Sequence, residues 1–307
     1  MMRFVMGRFF HAALVVAALL ILVFLIVHLT GDPAALALGT DSTHEEIVAF
    51  RHDMGFDRPL WIQFLSFARG VLLHAEFGNS LRYQEPALPI VLERLPATLE
   101  LTFAAMGVAL LIGVPTGLFA AILRGTWRDA LLRIIALLGQ SAPVFWIGIL
   151  LIQVFAVQLG WFPSSGRDNG WMSIALPALT LSAYSTASIT RLLRASVLDT
   201  LTQDFVRTAR AKGVSALVVT LRHVLRNSLL PVVTLVAMQF GTLLGGAVIT
   251  ESIFAWPGLG RLVVQAIYNR DIFLIQAAVF TIAVLFVAIN FVMDILYMAL
   301  DPRIRLR

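Results

Sequence analysis

The chain has 307 residues, 59% of them hydrophobic and only 13% charged, with a mean hydropathy of +0.87. This composition excludes a water-soluble globular protein and indicates a chain solvated mainly by lipid. The lack of cysteine excludes thiol chemistry, disulfides and cysteine-ligated metals, and the net charge of +5 matters through its placement.

Six apolar runs can each supply the roughly 20 helical residues that cross about 30 Å of hydrocarbon. They fall at 9–30, 98–122, 131–158, 172–190, 229–250 and 273–300. Lipid cannot satisfy open backbone groups, so each run is predicted to be a helix in an all-α membrane bundle. The first run follows Arg3 and Arg8, and Ala35-Leu-Ala37 offers a small-residue cleavage site. It is too long for a usual signal h-region, and Asp32-Pro33 intervenes, so an uncut first helix is expected.

Residues 31–97 form the largest extramembrane piece and are expected to be a compact helical appendage. Thr43-x-x-Glu46 is a capping box for a short helix that Gly55 closes. Pro59 opens the next helix, where Leu60, Ile62, Phe64, Leu65 and Phe67 give a wide apolar face. That face either packs on the bundle or lies in the headgroup layer. Farther along, Gly113-Val-Pro-Thr-Gly117 and Ser141-Ala-Pro143 predict kinks or close helix contacts rather than loops.

The stretch 194–228 separates the fourth and fifth runs. Thr200-x-x-Gln203 reads as a capping box, Gly213 as a helix stop, and Ser215 as the cap of a second helix running toward Pro231. The expectation is a helix, a turn and a helix. Phe205, Ala209 and Lys212 fall near one face, and small Ala209, Ala211 and Gly213 permit close approach by another protein. By spacing alone, a basic helix lying on anionic lipid is an equal alternative.

The fifth run carries Gly241-Thr-Leu-Leu-Gly245-Gly246, a small-residue face suited to close helix packing. Glu251 ends it, ahead of an aromatic, glycine-rich loop. Gly245, Glu251, Phe254, Trp256 and Pro257 are the candidates for lining the outer mouth of a pathway, the alternative being a packed cap over the helix ends. In the last run Asn290 and Asp294 share a face, and structural pairing of Asp294 with an arginine near Asp301-Pro302 is favoured over ion coupling.

Arginine placement sets the orientation. With the N-terminus inside, the inner parts hold Arg124, Arg128, Arg133, Arg191, Arg194, Arg207, Arg210, Lys212, Arg222 and Arg226 beside the terminal arginines, while the short outer loops hold Arg167, Arg261 and Arg270. Both termini are therefore expected to be cytoplasmic, in a multi-pass membrane protein.

Catalytic constellations are missing. The sole lysine, Lys212, lies between Ala211 and Gly213, so no Gly-Lys-Ser/Thr phosphate loop exists. His44 has no second histidine four positions on, Ser165-Gly166 lacks the preceding glycine of an intramembrane nucleophile motif, and His11 and His28 belong to no cluster. Energy for transport must come from a partner or an ion gradient, the latter making a gradient-driven transporter or channel the rival reading.

Arg207-Thr-Ala-Arg-Ala-Lys-Gly213 followed by Arg222-His-Val-Leu-Arg-Asn-Ser-Leu-Leu-Pro231 resembles the cytoplasmic signature of permease subunits of ATP-binding-cassette importers, in the dipeptide, oligopeptide, nickel and glutathione branch. Only Ala209, Gly213 and Leu225 match the general signature of such permeases; the peptide-branch version fits throughout. Further blocks agree in order: Gly31-Asp-Pro33, Phe77-Gly-Asn-Ser80, Arg94-Leu-Pro-Ala-Thr-Leu99, Phe145-Trp-Ile-Gly148, Leu159-Gly-Trp-Phe-Pro163, Phe254-Ala-Trp-Pro-Gly-Leu-Gly260 and Asp301-Pro-Arg-Ile-Arg305.

The resemblance implies the six-helix type I importer fold: an N-terminal segment with the first helix (1–30), the extracytoplasmic segment (31–97) and a five-helix core (98–307). It implies that Arg207, Thr208, Ala209, Arg210, Ala211, Lys212 and Gly213, with Arg222, His223, Arg226 and Asn227, dock a separate ATPase. The expected partners are a second homologous permease, two ATPases that bind ATP and Mg, an extracytoplasmic binding protein and membrane lipid, with no nucleic acid. The chain itself is expected to hold no cofactor or metal. Peptides are the expected cargo, with a nickel chelate, glutathione or another small solute as alternatives.

Overall fold

The computed structural model describes residues 2–29, 33–38 and 42–300. Gly31, Asp32, both chain ends and the whole of Asp301-Pro-Arg-Ile-Arg305 lie outside the described residues, as do the side chains of Arg3, Arg8 and Asp294. All regular elements among the described residues are helices. In chain order they are α1 (Met2–Leu29), α2 (Pro33–Leu38), α3 (His44–Asp53), α4 (Leu60–Arg69), α5 (Ala87–Ile122), α6 (Trp127–Ser141), α7 (Val144–Leu151), α8 (Trp171–Leu201), α9 (Asp204–Ala211), α10 (Ala216–Val218), α11 (Leu225–Ile253), α12 (Leu259–Tyr268) and α13 (Ile272–Leu300). Wider π turns follow α4, α7 and α10 at Gly70–His74, Ile152–Gln158 and Val219–Val224.

Four described helices are long and apolar enough to cross a membrane: Ala87–Ile122, Trp171–Leu201, Ala216–Ile253 and Ile272–Met293. The predicted third span is not one straight helix, because α6 and the α7 segment meet at 109°. Pro143 supplies no N–H to continue α6 and Ala142 is extended at φ −74°, ψ 134°, so the chain turns there. Counting that pair as one span gives five. The one expected span left over, the first at 9–30, corresponds to α1, a 28-residue helix whose described apolar stretch, Phe10–Leu25, is too short to meet the same test.

The chain divides into two compact units, one of Met1–Thr98 with Pro257–Val292 and one of Leu99–Trp256 with Met293–Arg307. In the first, Leu20, Val71, Phe77, Ile90, Val91, Leu259, Leu262 and Leu274 form a buried core. A chain of rings runs through it, with centroids 5.5 Å apart for Phe24–Phe64, 6.1 Å for Phe24–Phe67, 6.3 Å for Phe67–Phe77 and 5.4 Å for Phe77–Phe280. Phe64 and Phe67 thus pack as one of the two expected uses of the α4 face, while Leu60, Trp61 and Leu65 stay exposed.

The capping box of α3 forms as expected: Thr43 Oγ1 accepts from the Glu46 N–H at 3.3 Å and Glu46 Oε2 accepts from the Thr43 N–H at 2.9 Å. The Phe77–Ser80 block is explained by two contacts. Gly78 has φ +92°, and a Cβ there would lie 2.6 Å from the Phe273 ring. Ser80 donates a short hydrogen bond to the buried Asp271, which also accepts the Arg82 N–H at 3.3 Å and caps α13 through the Leu274 N–H at 3.2 Å.

In the second unit α8 is the central helix, with α6, α7 and α11 against it. The glycines of Gly113–Gly117 provide close helix contact: a Cβ on Gly117 would lie 2.8 Å from the Thr190 carbonyl oxygen, and one on Gly113 3.0 Å from Ile189 Cγ2. Gly246 likewise admits Leu181, whose Cδ1 would stand 3.2 Å from an added Cβ.

Candidate functional site

The basic segment between α8 and α11 is a helix, a turn and a helix, built differently from its sequence signals. Thr200 caps nothing: α8 runs on to Leu201, and the Thr200 hydroxyl donates to the Ser196 carbonyl at 2.7 Å. Gln203 occupies the N-cap of α9 without a side-chain bond, as Ser215 does for α10. Gly213 does close α9. At φ +76° it donates to the Arg210 carbonyl at 3.0 Å, and Val214 donates to that of Ala209 at 3.3 Å, the paired bonds of a Schellman stop. The second helix does not end near Pro231; Ala216–Ile253 is one span, and Pro231 lies inside α11.

Val206 is fully buried in α9, which packs against the π turn Val219–Val224, whose own Val219 and Val224 are buried as well. Arg207, Thr208, Arg210, Ala211, Lys212 and Gly213 remain exposed, Ala209 half-buried. Arg222, Arg226 and Asn227 are exposed on the following helix, with His223 half-buried. Phe205, Leu217, Val218 and Leu221 add exposed apolar surface among these cations. An apolar knob ringed by positive charge suits a groove on another protein at least as well as a flat anionic surface.

The base of the loop is tied by a buried hydroxyl pair that sequence reading missed. Ser228 donates to Thr200 Oγ1 at 3.0 Å and to the Ser196 carbonyl at 3.2 Å, joining the end of α8 to the start of α11. A second missed tie is ionic. Asp129, 1% exposed, receives a two-point clasp from Arg194, Nε to Oδ1 and Nη2 to Oδ2, each at 2.8 Å, with Arg133 Nε 3.4 Å away. Thr126-x-x-Asp129, with Thr126 accepting the Asp129 N–H at 3.4 Å, signals the start of α6 but not the partner of Asp129. These ties make a displacement of the loop a displacement of α6, α8 and α11.

At the other end of α11, Glu251, Phe254 and Trp256 are buried at 1% exposure or less, and Pro257 is half-buried. The Trp256 N–H reaches the Glu251 carbonyl at 2.9 Å, and the Gly166 N–H that of Phe254 at 2.9 Å. The Arg167 guanidinium stands 5.6 Å from the Trp256 ring centre. Gly245 is exposed, on a face with Met238, Thr242, Ile249 and Ser252. Among the described residues, Asn290 donates to its own helix, at the Phe286 carbonyl.

The family model described as "Binding-protein-dependent transport system inner membrane component" matches residues 113–306, and its N-terminal companion matches 1–102. The glutathione transport system permease protein GsiC of Escherichia coli (strain K12) is 44% identical over 286 residues, covering 93% of each chain. That of Salmonella typhimurium is 42% identical over 306 residues, covering 99% of each. Among solved structures, the inward-facing MetNI methionine ABC transporter matches 69% of this chain and 96% of that one, with a TM-score of 0.58 at 20% identity. With a helical membrane bundle, an exposed basic helix-turn-helix loop and matching family models over nearly its whole length, this chain belongs to the inner-membrane permease components of binding-protein-dependent ABC importers.

Proposed function

We propose that this permease subunit forms half of the pathway of an ATP-driven importer for small peptides, glutathione among them. The observation that carries the cargo is the 44% identity with a glutathione permease across 93% of both chains. Selectivity at this grain belongs to sites and to the external binding protein rather than to the fold, so uptake itself is the test.

In this reading α9 and the turn to Ser215 dock on one of two ATPases, which bind ATP and Mg and perform the hydrolysis. The exposed face of α11 meets a second permease across the pathway: Met238, Thr242, Gly245, Ile249 and Ser252 recur at four- and three-residue steps along it. Glu251, Phe254, Trp256 and Pro257 shape the outer end, the buried aromatics holding the loop and the exposed face offering the lining. Closure of the ATPase pair shifts the docked loop, and its ties to α6, α8 and α11 carry that shift into the membrane.

The complex extracted in mild detergent and rebuilt into liposomes should accumulate labelled glutathione and dipeptides only with its binding protein outside and Mg-ATP inside. Preference for a nickel chelate would overturn the cargo. Uptake without any nucleotide-consuming subunit would overturn the mechanism.

A further inference from the structure

The first unit contains a cavity of about 380 Å³ between the C-terminal end of α1, the α3–α4 turn and the start of α13. That is a small-molecule volume. Phe24, Phe67 and Phe77 supply its apolar wall; Asp53, Arg58 and Glu76, all exposed, line its polar side, with the Arg58 guanidinium lying over Gly55, another lining residue.

The polar groups fall into two classes. His28 and Gln63 are committed to each other and to the backbone. His28 Nε2 meets Gln63 Oε1 at 2.8 Å, its Nδ1 meets the Phe24 carbonyl at 2.9 Å, and Gln63 Nε2 donates to the carbonyls of Phe56 and Arg58 at 3.0 and 2.7 Å. The others are uncommitted. No ion pair within 4.0 Å among the described residues involves Asp53, Arg58 or Glu76. Gln276 also lines the cavity, only 6% exposed, and its carboxamide makes no hydrogen bond to a described residue. The carboxamide opens on the cavity rather than being sealed in the core, so its hydrogen-bonding groups are available to whatever fills that space.

Both signs of charge in one cavity disfavour a lone anion or cation, since either would meet its own sign. No group of three or more metal-ligating side chains occurs among the described residues. We propose that this cavity binds a small zwitterion, with its protonated amine on Asp53 and Glu76, its carboxylate or phosphate on Arg58, and the Gln276 carboxamide completing the hydrogen bonds. A free amino acid or short peptide and the ethanolamine headgroup of a phospholipid both offer this chemistry. The site is remote in sequence from the coupling segment, and its failure leaves the cargo and coupling readings untouched.

The test uses the full chain with its native partners in nanodiscs of phosphatidylglycerol alone. One arm titrates alanyl-alanine and glutathione by calorimetry against an N-acetylated, C-amidated dipeptide; the other adds phosphatidylethanolamine and reads retained lipid by native mass spectrometry. Saturable binding of either zwitterion, weakened at least tenfold by Arg58→Gln, by Asp53→Asn with Glu76→Gln, and by Gln276→Leu, is expected. Dipeptide binding identifies a solute site, and retention of phosphatidylethanolamine alone a lipid site. Arg58→Gln, at an exposed position, keeps the test valid if Gln276→Leu does not assemble. Binding no stronger than to the capped peptide, or unchanged in Arg58→Gln and in the acidic double variant, overturns the proposal.

Discussion

Asp129 is a buried carboxylate whose charge is matched by Arg194, itself 20% exposed at the side chain. Removing one partner of such a pair leaves the other uncompensated, which costs about 3–5 kcal/mol. Asp129→Ala should therefore lower the unfolding midpoint in detergent sharply, and adding Arg194→Leu should restore part of it; equal loss in single and double variants would mean that the pair is not the tie. Gly213 carries a different constraint. Proline there would need φ near −65° in place of +76° and would delete the N–H that closes α9 on Arg210. Gly213→Pro should leave the chain in the membrane but abolish substrate-stimulated ATP hydrolysis, as read in liposomes; normal stimulation would remove the loop from the coupling path. Gly213 and its basic neighbours were legible because they are consecutive. Asp129 with Arg194, and Ser228 with Thr200, join residues 65 and 28 positions apart, and one sequence does not display such partners.

Local signals succeeded where nothing larger competed with them. Thr43 and Glu46 cap α3 on an exposed turn, and the bond from the Thr43 backbone holds the Glu46 carboxyl below its usual 4.5. A lowered folded value means that the cap's contribution is complete above that pH and is lost as pH falls through the lowered one. Amide exchange in α3 should show steady protection at neutral pH that fades in acid. Thr43→Ala should cost the helix about 1 kcal/mol and remove that pH dependence. Thr200 failed as a cap because the packing of α8 carries its helix past it. Pro231 does not interrupt α11, because its neighbours Ser228 and Val232 are buried and hold the backbone helical despite the lost hydrogen bond. The glycine interruption of α5 was legible as close packing, and it gives a sharp expectation. Gly117→Val would press a side chain on the Thr190 carbonyl and should destabilise the bundle by about 1–3 kcal/mol, seen as a lower unfolding midpoint; an unchanged midpoint would show that α5 and α8 separate freely.

At the scale of the molecule, four spans, and a fifth if the bent pair of α6 and α7 counts as one, were legible from hydropathy, but the grouping of the chain into units was not. Residues 257–292 pack with the first 98, and the link between Ser80 and Asp271 spans 191 positions, a pairing that no periodicity announces. Within the second unit, one helix, α8, bears both ties, Arg194 to α6 and Thr200 to α11, so under the proposed coupling α8 is the element that would transmit a shift of the loop. A lever of this kind should lose transmission without losing assembly when its weaker tie is cut. Ser228→Ala removes both hydroxyl bonds at a cost of about 1 kcal/mol, too little to unfold a packed bundle. The ATPase should still co-purify in full yield and crosslink from positions 208–214, while ATP consumed per molecule imported rises. If Ser228→Ala transports with unaltered stoichiometry, the hydroxyl tie takes no part in transmission and only fills space between α8 and α11.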